Sequence, residues 1–439
     1  MNKKNNLIDL LHERAKKVIP GGNSLLSKRR EMFAPGLWPS FFESAKGINV
    51  KAIDGIEYKD FSHFSVGTNT LGYSNDYVNK KVIDSIQKGT MTTLNAPEEV
   101  YLAERLIQMH PWASIVKFAR TGGEANSIAI RMARAYTGRS KIAFCGYHGW
   151  HDWYLSANLE KKDNLDQHLL SGLSPKGVPS ELYSTSLPFN EGDLEGLEKL
   201  LSKNDVAAVK IEVMRSNYPS KNYLEQIVFL AKKYNALLIV DECTSGFRET
   251  FGGLHLKYEI EPDIAVFGKT LGNGFAITSV LAKSHLMDTT QMSFISSTYF
   301  TERTGFVAGL ATLDQMEELR SWELISKIGQ NFKSKLTNLA RKYNLPFKVT
   351  GMDALVTFNL EDEKYLAYKT FFTQEMLKRN YLASNSFYPS ICHKEEEVIE
   401  FFHNAEKVFE KISTIRLRKE NIENYLDGDV CHSGFKRLN

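Results

Sequence analysis

Two short apolar runs, each ending in a charged residue, constrain this chain more than any other feature. They lie in the stretch Ala236 to Lys269, ALLIVDECTSGFRETFGGLHLKYEIEPDIAVFGK. The run ALLIV ends on Asp241 and the run IAVFG ends on Lys269. Short continuous apolar runs bounded by turn residues read as strands buried on both faces. Others of the kind, IVKFA, KIAFC, AAVKIEV and ITSVLAK, alternate with helix-periodic stretches such as TGGEANSIAIRMARAYTG and YLEQIVFLAKKYN. That alternation implies an α/β fold with a mostly parallel sheet covered by helices. Ligands of such sheets collect at the carboxyl ends of the strands. Asp241 and Lys269 are therefore expected to grip one ligand.

With 439 residues, the chain is expected to form a large domain and at least one smaller one. The pattern changes after about residue 305, where a long helical stretch leads to KVTGMDALVTFNL and then to helices around 365–380 and 395–412. This predicts a smaller α+β domain. A net charge of +3 gives no support to a nucleic-acid partner or an acidic membrane. No apolar run reaches the roughly 18 residues that a membrane helix needs. The N-terminus, MNKKNNLIDLLHERAKKVIP, is charged through its middle and fits a short amphipathic helix rather than a signal peptide. Cys145, Cys243, Cys392 and Cys431 are widely separated, so a reducing cytoplasm is the expected location. GINVKAIDGIEYKDF reads as a hairpin turning at Asp54-Gly55. Residues 156–190 read as a polar surface or interface loop.

Each chemical stretch has an ordinary and a functional reading. GKT at Lys269 resembles the end of a phosphate-binding P-loop, but Asp263 stands where that motif needs glycine. Lys269 is then either a strand-end lysine with its amine in solvent or a Schiff-base lysine made nucleophilic by desolvation. Asp241 is a helix cap, a metal ligand or the partner of a protonated ring nitrogen. In pyridoxal phosphate chemistry such an Asp keeps the ring an electron sink while a Lys holds the aldehyde carbon. Arg120-Thr121-Gly122-Gly123-Glu124-Ala125, between a strand and a helix, is a tight turn or an anion cradle at a helix N-terminus. In Gly146-Tyr147-His148-Gly149-Trp150-His151-Asp152 the histidines lack a second ligand cluster, so no metal is expected, and Tyr147 is placed to stack on an aromatic ring.

Taken together, DGIEYKDF, RTGGEANSIAIRMARAYTGRSKI, GYHGWHDW, LLIVDECTSGFR, PDIAVFGKTLGNG and SSTYFTERTGFVAGLATL closely resemble the class III, fold-type I, pyridoxal phosphate-dependent aminotransferases. The glutamate-1-semialdehyde 2,1-aminomutase group is the most similar. The resemblance implies a large domain over 66–310 with a seven-stranded type of sheet, a small domain over 311–439, and an N-terminal segment, 1–65, that joins the small domain. It implies pyridoxal 5'-phosphate as cofactor and a small-molecule amino donor and carbonyl acceptor as partners. Lys269 would form the Schiff base and shuttle the proton, and Asp241 would bond the ring nitrogen. Cys243 would lie under one ring face, where the family usually has valine, and Tyr147 on the other with His148 beside it. Thr121, Gly122 and Gly123 would hold the phosphate. Ser297 and Thr298 resemble a segment that reaches the phosphate of a neighbouring subunit, which implies a homodimer. Glu124 and Glu212 match acids near the site, Glu124 toward the substrate and Glu212 toward the cofactor. The chain departs from the aminomutase in GKTLGNGFAITS and STYFTERTG, and NSFYPSICHKEEE has no arginine for an α-carboxylate. Arg29 or Arg30 in LLSKRREMF is the remaining carboxylate-binding candidate. These departures favour an aminotransferase acting on a sugar or small polyol aldehyde, with the aminomutase as the alternative.

Overall fold

A computed structural model describes residues 5–203, 205–214 and 217–435. The chain divides into two compact units, Met1–Asn75 with Leu324–Asn439, and Asp76–Glu323. From the sequence the divisions were expected at 65 and 310. The helix Arg303–Leu319 packs along the helices Asp76–Gln87 and Glu98–Met109 and so stays within the larger unit.

The smaller unit opens with the amphipathic helix Asn5–Val18. Strands β1 (Phe42–Lys46), β2 (Asn49–Ala52) and β3 (Glu57–Phe61) follow as an antiparallel meander. The turn between β2 and β3 falls at Asp54-Gly55, where Gly55 takes φ 85° and the Asp54 side chain accepts from the Ile56 N–H.

The larger unit carries β4 (Ile115–Ala119), β5 (Lys141–Cys145), β6 (Ser186–Pro188), β7 (Val206–Glu212), β8 (Leu237–Glu242), β9 (Ile264–Phe267) and β10 (Thr278–Ala282). They form one sheet in the order β4-β10-β9-β8-β7-β5-β6. The block from β9 to β6 is parallel, and β10 runs antiparallel to both β9 and β4. β7, β8 and β9 are buried nearly throughout, as their apolar runs demand. The helix Gly122–Thr137 packs across the sheet through Ala125, Ile128, Ala129, Met132 and Ala133, and ends at Gly138 in the left-handed conformation.

Two expectations shift. The strand stops two residues before Lys269: β9 ends at Phe267, and Lys269 opens the 3-10 turn Lys269–Gly272. The excursion 156–190 contains β6, which is three residues long and pairs with β5. A strand that short has no periodicity to reveal it.

The smaller unit resumes along the helix Ser321–Lys342. Strands β11 (Phe347–Thr350), β12 (Val356–Leu360) and β14 (Ser386–Phe387) form a three-stranded antiparallel sheet, while β13 (Tyr381–Ala383) adds in parallel to β3. The helices Tyr365–Leu377 and Glu395–Leu417 complete the unit. Its core is aromatic: Phe61 stacks on Phe401 at 4.5 Å, and Phe332 on Phe387 at 4.1 Å. Offset stacks of this kind add to the burial of large apolar area.

Gly329, inside Ser321–Lys342, sits where a Cβ would lie 1.6 Å from the Asp353 carbonyl oxygen. Alanine gains up to about 1 kcal/mol of helix propensity over glycine. Overpacking against backbone costs about 1–3 kcal/mol, and here no side chain can swing aside. Gly329→Ala is therefore expected to be net destabilising, with a lower thermal midpoint. An unchanged midpoint would show that the helix does not press on residue 353.

Candidate active site

The Asp241 side chain is 2% exposed. A carboxylate so deeply buried must be compensated or neutralised. His148 Nδ1 lies 2.8 Å from its Oδ2, and the Cys243 N–H donates to its Oδ1 at 3.0 Å. The Lys210 ammonium, on β7, is 3.6 Å from Oδ2. Burial pushes Asp241 upward, but Lys210 and the His148 hydrogen bond outweigh it and hold the carboxyl well below the usual carboxylate range. Burial and the Lys210 charge press His148 below the ordinary histidine value. The site thus holds an ionised Asp241 oriented by the His148 imidazole, whose other ring nitrogen lies 3.1 Å from the Cys145 carbonyl oxygen.

β8 and β9 lie side by side, with Asp241 in register with Val266. Two residues beyond Phe267 the chain turns at Lys269, whose φ is 32°. A non-glycine residue in that region is strained, and such strain clusters where a side chain must be aimed. Lys269 Nζ donates to Thr244 Oγ1 at 2.8 Å. Desolvation lowers the Lys269 amine from its ordinary value, with Cys243, Glu212 and Asp241 opposing. A larger share of the amine is then the nucleophilic free base.

The Thr121 turn caps the helix Gly122–Thr137. Thr121 Oγ1 accepts from the Glu124 N–H, and Glu124 Oε2 accepts from the N–H groups of Arg120 and Thr121 at 3.0 and 2.8 Å. This is a capping box. Glu124, expected toward the substrate, has its Oε2 committed to the cap instead. The N–H groups of Gly122 and Gly123 have no acceptor among the described residues and remain free for an anion. Cβ atoms there would lie 3.3 Å from Cys243 Sγ and 2.9 Å from His151 Nε2, so the close approach requires glycine at Gly123 above all.

Tyr147 is half-buried, edge-on to Tyr154, with its N–H bonded to Glu212 Oε2 at 2.9 Å. Glu212 closes against Gly146, where a Cβ would stand 2.5 Å from Oε2. Ser297 and Thr298 are exposed in a single chain. In the smaller unit Arg30 is buried and ion-paired to Asp9 at 2.9 Å, and the Arg29 guanidinium lies over the Phe435 ring and against Gly21. Among the described residues no group of three His, Cys, Asp or Glu side chains could hold a metal ion. No helix there is long and apolar enough to cross a membrane.

Three residues of the site escaped the sequence reading. Lys210 sits in the strand run AAVKIEV, where a charge between apolar neighbours of a covered sheet is itself a signal. Thr244 carries no such mark. Arg120 was read as part of the turn, yet its guanidinium donates to the carbonyls of Ala276, Tyr299, Phe300 and Glu302. It fastens the segment that contains Ser297 and Thr298.

Residues 34–404 match the family Aminotransferase class-III. The chain belongs to the class III aminotransferases. It is 30% identical over 419 residues to the 3-aminobutyryl-CoA aminotransferase of Cloacimonas acidaminovorans, covering 92% of this chain and 96% of that one. It is 28% identical over 426 residues to the glutamate-1-semialdehyde 2,1-aminomutase of Saccharolobus islandicus, covering 90% and 99%. Among solved structures, the Sphingopyxis FumI protein in its PLP internal aldimine form superposes with TM-score 0.85 at 22% identity, over 95% of this chain and 99% of that one. An omega-transaminase from Sphaerobacter thermophilus gives 0.81 at 23%, over 93% and 98%. The fold is that of fold-type I transaminases, and the class III cofactor is pyridoxal phosphate.

The residues present fit that group. Asp241 offers an ionised acceptor, Lys269 an amine with lowered basicity, and Gly122 and Gly123 two free N–H groups at a helix N-terminus. The anchoring of this class III site is testable at Arg120. Arg120→Ala strips four carbonyls of a charged donor and is expected to cost on the order of 3 kcal/mol, read as a lower urea midpoint at unchanged slope. Gly305→Ala places a Cβ 2.1 Å from Arg120 Nη1 and should act in the same direction.

Proposed function

We propose that this class III enzyme moves an amino group from a small-molecule donor onto an acceptor with no carboxylate beside its carbonyl, a sugar or small polyol aldehyde. Lys269 is the residue that holds the cofactor and relays the proton. What carries the reading is one pairing: a buried carboxylate held ionised at the end of β8, and an amine of lowered basicity just past β9. Bound there, pyridoxal phosphate supplies an aldehyde carbon for imine formation and a ring that stabilises negative charge on the adjoining carbon. Asp241 accepts at the ring nitrogen. Thr121, Gly122 and Gly123 hold the phosphate. Tyr147, with His148 beside it, covers one ring face and Cys243 the other, and Glu212 sets the Tyr147 backbone. Once a donor amine displaces it, Lys269 Nζ is free to take the proton from the donor carbon and return it to the cofactor carbon.

The arginines support the acceptor class. Residues 385–397, NSFYPSICHKEEE, contain none, and Arg30 is committed to Asp9. The relative named for 3-aminobutyryl-CoA favours a second reading, an acyl thioester with its amine at the third carbon. That compound also lacks a free carboxylate beside the reacting carbon. A homodimer is the proposed active form. Phe294 is 83% exposed, Met292 79% and Tyr299 65%, flanking Ser297 and Thr298, and apolar side chains so exposed favour a covering partner.

Adding pyridoxal phosphate to the purified protein should raise a visible imine band, and borohydride should then fix the label on Lys269. Lys269→Ala is expected to stay folded and to lose both signals, and a persisting band would reject the lysine assignment. A half-reaction screen of the aminated holoenzyme should show turnover with sugar and polyol aldehydes, with 3-oxoacyl thioesters testing the second reading. Efficient conversion of glutamate-1-semialdehyde without an external donor would instead make the enzyme an aminomutase. Sedimentation should show a dimer, and Phe294→Asp should shift it toward monomer with weakened cofactor binding.

A further inference from the structure

The loop GYHGWHDW carries one histidine that the proposed chemistry leaves unused, His151. It stands just before the short helix Asp152–Leu155, yet its side chain makes no cap to that helix. The loop packs onto the Thr121–Gly123 turn. A Cβ at Gly149 would lie 3.3 Å from Gly123 Cα, and a Cβ at Gly123 would lie 2.9 Å from His151 Nε2. The imidazole therefore occupies the space that a side chain at position 123 would need, beside the free N–H groups of Gly122 and Gly123. The ring is partly buried. Its Nδ1 shares a hydrogen bond with Ser127 Oγ, one turn beyond Gly123 in the helix Gly122–Thr137, and the Trp150 ring packs edge-on to it at 4.5 Å. Among the described residues Nε2 has no hydrogen-bond partner.

Ser127 determines which nitrogen is left over. Its hydroxyl donates to a neutral Nδ1 and accepts from a protonated one, so the contact survives a change of charge. Nε2 then carries a hydrogen in both states and is a donor in both. The charged groups facing the ring are Glu124 from the helix and Asp152 from its own loop, both acids. Arg120, in the same turn, is committed to four carbonyls, and His148, in the same loop, to Asp241. Among the described residues of this turn and loop, His151 is the ionisable donor still open to an anion. Burial holds the imidazole below the ordinary histidine value while Glu124 and Asp152 pull it upward. A phosphate at the cradle would pull in the same direction as those acids.

We propose that His151 is a ligand of the cofactor's phosphate, donating from Nε2 and taking up a proton as the phosphate binds. This rests on the assignment of the phosphate to Thr121, Gly122 and Gly123. Gly123 is then glycine for two reasons: its N–H is free for the anion, and its missing side chain admits the ring. The phosphate raises the ring's affinity for a proton, so the gain in binding is fully present at low pH. It falls as pH rises through the histidine value of the bound state, where a neutral hydrogen bond remains.

The test compares the affinity of the full chain for pyridoxamine 5'-phosphate, which needs no bond to Lys269, with its affinity for pyridoxamine, which lacks the phosphate. His151→Phe keeps a ring in the space and removes the donor. It is expected to weaken pyridoxamine 5'-phosphate on the order of tenfold at about pH 6.5, and less at about pH 8.5, while leaving pyridoxamine unaffected. His151→Gln supplies a neutral donor and is expected to recover part of the loss, with no gain toward low pH. Native affinity for pyridoxamine 5'-phosphate in a folded His151→Phe protein overturns the inference. A loss that pyridoxamine shares overturns it too, as does a native-to-Phe ratio that is the same at both pH values. If pyridoxal phosphate raises no imine band in the native protein, the cofactor reading fails and this inference falls with it. A band with no effect of His151 sinks the inference alone.

Discussion

The buried carboxylate of Asp241 is the charge around which the larger unit is arranged. Left alone at 2% exposure it would cost several kcal/mol or take up a proton. The fold answers with three compensating groups from three places: an imidazole from the loop after β5, an ammonium from β7 and a backbone N–H from the turn after β8. Parallel neighbours make this possible, because β5, β7 and β8 all deliver their carboxyl ends to the same edge. Remove any one of them and the carboxylate is undercompensated at 2% exposure.

Lys269 shows the complementary economy. Its chain direction is fixed by β9, but the strand stops two residues early and the backbone bends through a left-handed angle. The bend aims the amine at Thr244, in the turn after β8 rather than along its own strand. A hydroxyl partner can hold a neutral amine as readily as a charged one, so the contact suits a group that must change its bonding. Asp241 is held in one state, whereas Lys269 is left able to move between several.

Much of this was legible in the sequence. The strand runs ending near Asp241 and Lys269, the glycine turn at Thr121–Gly123 and the GYHGWHDW loop announce both fold and chemistry, because buried parallel strands must be apolar and their ends need not be. Less legible were features set by long-range geometry. Arg120 reads as one more turn residue until four distant carbonyls converge on it. The role of Glu124 depends on a cap whose hydrogen bonds are local but whose alternative, a place near substrate, is equally compatible with spacing. Arg30 shows the same limit, since only the fold reveals Asp9 beside it. Lys210 could have been suspected, as a lone charge in a run that the sheet must cover.

The antiparallel strand β10 has a consequence for how the protein is made. The turn that offers Gly122 and Gly123 hangs from β4, and β4 joins the sheet only through β10. Thr278, at the start of β10, donates to the Thr121 carbonyl across 157 residues of chain. During synthesis the strands that present Asp241 can assemble first, while the anion cradle waits at an unattached edge. The last strand of the sheet to leave the ribosome is the one that docks it. The cradle proposed for the phosphate is thereby completed only when the larger unit is nearly whole, and a truncated chain that still displays the Asp241 cluster leaves the Gly122–Gly123 turn unattached to the sheet.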